Sequence, residues 1–76
     1  MNTLADLAVG MRGRVTGFGK NSQAYRKRIL AMGLVKGTEF TVNRVAPMGD
    51  PIEIGIRGYN LSVRKDEAVA LIVEGI

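Results

Sequence analysis

The chain is 76 residues long, 46% of them hydrophobic, and carries a net charge of +4. This length fits a single domain, residues 1–76, and the hydrophobic content is too high for a disordered segment. Histidine and cysteine are absent, which removes the commonest general base and metal ligand together with disulfide and thiolate chemistry. Apolar runs are too short to span a bilayer and no signal-peptide pattern is present, so we expect a cytoplasmic protein.

The N-terminal part of the chain predicts one turn and one strand. Residues 3–10 have the pattern of a loop or a single helical turn, capped by Thr3 or Asp6. Three apolar residues of this segment are expected to be buried: Leu4, Leu7 and Val9. Residues 11–19 predict the first strand, and their three glycines indicate the bends that let strands coil into a small barrel.

Residues 22–37 predict one short helix and the turn that follows it. Ser22 is the expected N-cap, with its hydroxyl accepting a hydrogen bond from an amide of the first turn. Gly33 fits the left-handed position of a Schellman ending, and Leu34 then covers Ile29. The apolar stripe of the helix either packs on the end of the barrel or stays partly exposed for a partner. The stripe consists of Tyr25, Ile29 and Met32, widened by Leu30 and Leu34.

The second half of the chain predicts four more strands. Glu39–Val45 follows a tight turn at Gly37 and is expected to direct Phe40 and Val42 inward. A turn over residues 46–51 is expected next, followed by a strand over 52–57 with Ile52, Ile54 and Ile56 on one face. A turn over 57–60 then leads into a strand that ends at Arg64, with Leu61 and Val63 inward. A 3-10 turn over 65–68 and a last strand over 69–74 complete the chain. These elements predict a mainly β protein folded as a small closed or nearly closed five-stranded barrel.

The positive charge is concentrated on the predicted helix and its flanks. Residues 20–36 hold five basic side chains and no acidic one, which leaves six basic and all seven acidic residues elsewhere. The five are Lys20, Arg26, Lys27, Arg28 and Lys36. Such a segment is either an ordinary solvated helix face or a docking surface for an acidic partner or a phosphate backbone.

No catalytic or metal-binding constellation can be assembled from these residues. Without His and Cys there is no triad of the usual kind. The carboxylate pairs Asp50/Glu53 and Asp66/Glu67 lack the spacing of a known cation-binding loop, and Asp50 is expected to bond the backbone of its own turn. We therefore expect no catalytic residue, no metal site and no cofactor.

Two blocks of the sequence carry recognisable motifs. Residues 25–37 read YRKRILAMGLVKG, and residues 44–52 read RVAPMGDPI. The first block resembles the R-x-x-L-x-x-[ML]-G-[LM]-x-x-G helix and turn of the FeoA family, small SH3-like cytosolic proteins of bacterial ferrous iron transport, and the second resembles the R-x-A-P-L-G-D-P-[IV] motif of the same family. Residues 4–10, 13–15, 61–64 and 67–68 also fit, so the resemblance covers essentially the whole chain.

The resemblance implies an SH3-like barrel with the helix inserted between its first two strands. It also implies a non-enzymatic adaptor that acts with FeoB, a membrane ferrous-iron transporter with a cytosolic GTPase domain, either by modulating its GTPase cycle or by gating its pore. We hypothesise that the helix docks on FeoB, with basic side chains steering association and apolar ones anchoring it. The residues assigned to this surface are Tyr25, Arg26, Lys27, Arg28, Met32 and Leu34.

The turn over residues 46–51 is the second candidate docking surface, with Met48 as its contact residue. The same turn is equally well explained as a rigid connection that the fold requires. A barrel that binds nucleic acid is the main competing function, although the four aromatic residues lack the spacing of a base-stacking platform. An iron-binding chaperone and a barrel that self-associates also compete with the adaptor hypothesis.

Overall fold

The computed structural model describes residues 2–20 and 22–76, and these residues form six strands and two α-helices. The elements in chain order are β1 (Asn2–Thr3), β2 (Arg12–Phe18), α1 (Gln23–Ala31), β3 (Glu39–Val45), β4 (Ile52–Ile56), β5 (Tyr59–Val63), α2 (Lys65–Ala70) and β6 (Leu71–Gly75). A 3-10 turn over Leu4–Asp6 follows β1, and the carboxylate of Asp6 accepts a hydrogen bond from the amide of Thr3 at 2.9 Å. No helix in these ranges has the length and hydropathy that crossing a membrane requires.

All six strands belong to one antiparallel sheet in the order β1-β6-β2-β3-β4-β5. The register shifts twice, once in β2 between Val15 and Gly17 and once in β3 between Val42 and Arg44. Bulges of this kind increase the twist of a strand, so the sheet coils and its inner face encloses one core.

The mainly β prediction is confirmed, and its strand count and helix position are corrected. The sequence pattern missed β1, a two-residue strand that pairs with β6 at the other end of the chain. Two residues are too few to show alternation. Because β1 precedes it, α1 lies between the second and third strands rather than between the first two.

The core combines residues from the sheet, both helices and the 3-10 turn. Its buried members are Leu4, Leu7, Val15, Ile29, Leu34, Phe40, Val42, Ile52, Ile54, Val63, Ala68, Ala70, Leu71 and Val73. The inward pair predicted on β3 is therefore confirmed. Of the residues predicted on one face of β4, Ile52 and Ile54 are buried and Ile56 is half-buried; of the pair predicted on the next strand, Val63 is buried and Leu61 is half-buried. Val9 was expected to be buried, but it is 58% exposed because it lies in a turn closed by the amide of Met11 bonding the carbonyl of Ala8.

The ending of α1 is the predicted Schellman motif, but its beginning differs from the prediction. Gly33 has φ of +91°, and the amide of Leu34 donates to the carbonyl of Ile29 at 3.2 Å. Ser22 occupies the N-cap position, yet its buried hydroxyl donates to the carbonyl of Gly19 at 2.6 Å instead of accepting from the helix. A buried hydroxyl needs a partner, and the preceding turn supplies it.

The region after β4 is more regular than the sequence predicted. The hairpin turn consists only of Arg57 and Gly58, with φ of +84° at the glycine, so β5 begins at Tyr59 inside the predicted four-residue turn. The predicted 3-10 turn is the α-helix α2, and β6 consequently begins at Leu71 rather than at residue 69. The cap of α2, described below, accounts for its greater length.

Candidate functional site

The three consecutive basic residues of α1 point in different directions. Successive residues of an α-helix are rotated by about 100°, so Arg26 and Arg28 flank the core-facing side of the helix and Lys27 lies on the opposite side. All three side chains are exposed. They do not form a single patch, and the structure gives them different surroundings.

Arg28 connects α1 to α2 through a buried carboxylate. Its Nη1 lies 3.2 Å from Oε2 of Glu67, whose side chain is only 3% exposed. Oε1 of Glu67 accepts a hydrogen bond from the amide of Arg64 at 3.0 Å, which caps the first turn of α2. Both oxygens of the buried carboxylate are thus satisfied, and Arg28 has a role in the fold that the sequence did not indicate.

Arg26 connects the other flank of α1 to the end of β2. Its guanidinium carbon lies 5.4 Å from the centre of the Phe18 ring, within the range of a cation–π contact. In contrast, no ion pair with a described residue involves the three lysines of the basic segment, Lys20, Lys27 and Lys36. The ring of Phe18 carries no formal charge, so the positive charge of the segment that no described carboxylate balances belongs to Arg26 and to these lysines.

The apolar side chains assigned to the docking surface differ in exposure. Tyr25 and Met32 are half-buried and pack against the core. The prediction that Leu34 contacts a partner is wrong, because the Schellman turn folds this side chain into the core, where it is fully buried. The exposed apolar residues at this end of α1 are Leu30 and Val35, at 43% and 49% exposure. The sequence analysis placed Leu30 in the apolar stripe without assigning it to the docking surface, and it did not consider Val35. Leu30 lies about 140° around the helix from Tyr25, which a helical projection reveals.

The turn over residues 46–51 presents Met48 to solvent at 85% exposure. Two backbone bonds close the turn, from the amide of Gly49 to the carbonyl of Ala46 at 2.7 Å and from the amide of Ala46 to the carbonyl of Pro51 at 3.1 Å. Asp50 was expected to bond its own turn, but its Oδ1 accepts from the amide of Lys65 at 3.1 Å. The turn is thereby fixed to the start of α2.

A cleft opens in the sheet where β3 and β4 separate, and we call it the β3–β4 cleft. Residues 39–41 line one bank, residues 55–57 line the other, and Gly33 and Tyr59 lie at one end. Its volume is about 540 Å³, within the range of ligand-binding pockets. No sequence signal could have located it, because it depends on where the pairing of two strands stops.

The metal-binding and nucleic-acid-binding hypotheses can be compared with the geometry. Among residues 2–20 and 22–76, no three acidic side chains approach closely enough to hold a metal ion together. Of the aromatic rings, Phe40 is buried, Tyr25 is half-buried, Phe18 lies beneath Arg26 and Tyr59 is exposed. A base-stacking surface needs several exposed rings on one face, and these four rings do not provide it.

Comparison with known proteins gives a consistent result. The family model described as the FeoA domain matches residues 2–75. The Fe(2+) transport protein A/Fe(2+) transporter FeoB fusion protein of Porphyromonas gingivalis is 46% identical over 50 residues. These residues are 66% of this chain and 6% of the fusion protein, so the chain corresponds to a small part of that relative.

Solved structures resemble the whole chain. An FeoA-like protein from Clostridium acetobutylicum has a TM-score of 0.87 and 38% identity, over 100% of this chain and 91% of that protein. The zinc-complexed FeoA of Stenotrophomonas maltophilia, described as an SH3 domain protein, has a TM-score of 0.72 and 24% identity, over 97% of this chain and 91% of that protein. The second likeness concerns the fold alone, and it supports the SH3-like architecture. On the match over residues 2–75, the chain belongs to the FeoA family.

Proposed function

We propose that this chain is a non-enzymatic accessory protein of ferrous iron uptake that docks on a FeoB-type membrane transporter and modulates its cytosolic GTPase domain. The Porphyromonas gingivalis relative carries the proposal, because there transport protein A and FeoB are one polypeptide. Covalent linkage keeps two domains at a high effective concentration of each other, as suits domains that bind one another. A domain with the same role needs a surface that contacts the transporter.

The proposed surface is the outer side of α1 and the turn that follows it. The uncompensated lysines on and beside α1 supply a positive field that accelerates encounter with an acidic partner. Two of them, Lys27 and Lys36, flank the exposed apolar residues Leu30 and Val35 in the chain, which can be desolvated on contact. Tyr25 and Met32 contribute their exposed edges, and Arg26 and Arg28 contribute charge in addition to their contacts within the fold. Met48 on its fixed turn is the second proposed contact.

A binding experiment with matched variants tests this surface. The cytosolic region of the FeoB-type transporter from the same organism is immobilised, and association with the unmodified chain is compared with that of Lys27/Lys36→Glu and Arg44/Lys65→Glu. Both variants change the net charge equally, but the first alters the outer side of α1 and the turn after it, whereas the second lies beside the turn of residues 46–51, so the comparison also ranks the two proposed contacts. We expect the association rate to fall at least about tenfold in the first variant and far less in the second. Equal losses would assign the effect to net charge, and absence of binding by the unmodified chain would reject docking.

The effect on the GTPase domain is measured separately. GTP hydrolysis by the same cytosolic region is followed while the chain is added up to saturation. We expect the rate to change and to reach a plateau at equimolar ratio. A hydrolysis rate that stays constant when this chain saturates the cytosolic region would reject modulation of hydrolysis and leave docking as the function.

A further inference from the structure

The β3–β4 cleft exists because the hydrogen-bonded ladder stops before the strands do. The register between β3 and β4 runs from Val45 opposite Ile52 to Thr41 opposite Gly55 and ends there. Continuing it would place Glu39 opposite Arg57. Each bank nevertheless stays ordered by its other neighbour, since residues 39–41 pair with β2 and residue 56 pairs with β5.

The backbone of β3 directs polar groups into this cleft. The carbonyl of Thr38 accepts from the amide of Val15 at 2.9 Å, so Thr38 points toward β2. Residues of an antiparallel strand alternate between their two neighbours. Glu39 and Thr41 therefore point toward β4, and Thr41 finds its partner there in Gly55.

The backbone of β4 directs polar groups into the cleft from the opposite bank. Ile56 and Tyr59 close the two-residue hairpin and face each other. The carbonyl of Ile56 faces Tyr59, so the amide of Arg57, on the other side of the same trans peptide unit, points toward β3. No backbone hydrogen bond joins Glu39 to Arg57 in the described part of the chain. Backbone groups left unpaired in an open cleft bind water or a ligand.

The charges on the two banks are unequal. Glu39 lies 3.6 Å from both Arg12 and Arg14, and Arg14 also bonds Glu74 at 2.8 Å. These four side chains balance one another. Arg57, on the other bank, is exposed and forms no ion pair within the described ranges, so the cleft has one uncompensated positive charge.

We propose that the β3–β4 cleft binds an extended acidic segment of the partner protein. The segment adds to the open edge of β3 by bonding the backbone of Glu39, which is the mode of strand addition used by several peptide-binding folds. An acidic side chain of the segment pairs with the Arg57 guanidinium, and apolar residues contact Ile56 and Tyr59. The inference rests on the proposed docking to a FeoB-type transporter, and it assigns a third contact region, which adjoins the turn after α1 at Gly33 and Gly37.

The test compares two arginines of the same sheet. Arg57→Glu reverses the charge in the cleft, whereas Arg44→Glu makes the same change on an exposed residue at the far end of β3 that forms no ion pair among the described residues. Thermal unfolding first establishes that both variants fold like the unmodified chain. The dissociation constant for the cytosolic region of the FeoB-type transporter is then expected to rise at least about tenfold for Arg57→Glu and less than about twofold for Arg44→Glu.

Amide hydrogen exchange supplies an independent readout of strand addition. In the complex, the amides of Glu39 and Arg57 are expected to exchange more slowly than in the free chain. Unchanged exchange there, or equal effects of the two substitutions, would overturn the inference while leaving docking intact. Absence of any binding by the unmodified chain would reject the proposed function itself. A dimer of this chain that Arg57→Glu disrupts would assign the cleft to a second copy and overturn it as well.

Discussion

Arg26 and Arg28 lie against other parts of the fold, whereas Lys27 between them faces solvent. The planar guanidinium group suits both arginine contacts, one over an aromatic ring and one with a carboxylate. The ammonium group of lysine is strongly hydrated and remains in water at low cost. Three neighbouring charges that are equivalent in a charge count therefore separate into two that hold α1 in place and one that is available to a partner.

The largest effect on stability should follow from replacing Glu67, the buried carboxylate that pairs with Arg28. Replacing Glu67 with alanine removes the ion pair, the cap of α2 and the buried methylene groups at once. We expect the free energy of unfolding to fall by about 2–3 kcal/mol. Urea denaturation measures it, and the matched control is Asp66→Ala, the exposed neighbour in the same helical turn. An equal loss of stability in both variants would show that Glu67 acts only through its negative charge near the N-terminus of α2.

Removing the arginine itself should have a smaller effect. In Arg28→Ala the carboxylate of Glu67 keeps the amide of Arg64 but loses its charged partner. Because Arg28 is largely exposed, water replaces part of the interaction, and we expect a loss of about 1–2 kcal/mol. The single variants Arg28→Ala and Glu67→Gln and their double variant form a thermodynamic cycle that tests the mechanism. If the two losses simply add, the pair is not coupled and the anchoring role of Arg28 is rejected.

The features predictable from the sequence are those set by residues close together in the chain. The Schellman ending depends on Gly33 and its immediate neighbours, and the alternation of β4 is contained in five residues. The contacts that distinguish the basic residues are not local. Arg28 and Glu67 are 39 positions apart, and β1 pairs with the opposite end of the chain. Such pairings exist only after the sheet has coiled, so no local pattern encodes them.

The same reasoning explains the outcome for the candidate site. The two sequence blocks that resemble the FeoA family, residues 25–37 and 44–52, indicated α1 and the turn of residues 46–51, because both are continuous in sequence. The burial of Leu34 and the opening between β3 and β4 arise from tertiary packing instead. The sequence therefore indicated where a surface lies but not which of its side chains are free.

Arg26 should contribute less to stability than Arg28. Its contact with the ring of Phe18 is at an exposed site, where cation–π interactions stabilise by about 0.5–1 kcal/mol. Arg26→Ala is expected to lower the unfolding free energy by that amount, and Arg26→Lys by less. With Phe18→Leu as background, the Arg26→Ala loss should disappear. A loss that persists in this background would mean that Arg26 acts through some other contact.

Lys27 should show the opposite behaviour, with the smallest effect on the fold and a measurable effect on binding. Nothing in the described structure pairs with its ammonium group, so Lys27→Ala is expected to change the unfolding free energy by less than about 0.5 kcal/mol. If the charge of Lys27 steers association, this variant associates more slowly with the cytosolic region of the FeoB-type transporter. The difference in association rate from the unmodified chain then shrinks as the salt concentration is raised, because salt screens long-range attraction. A stability loss as large as that of Arg28→Ala would erase the distinction between the two kinds of basic residue. An unchanged association rate at low salt would keep that distinction but remove Lys27 from the docking surface, which would then consist of the apolar residues and the remaining lysines.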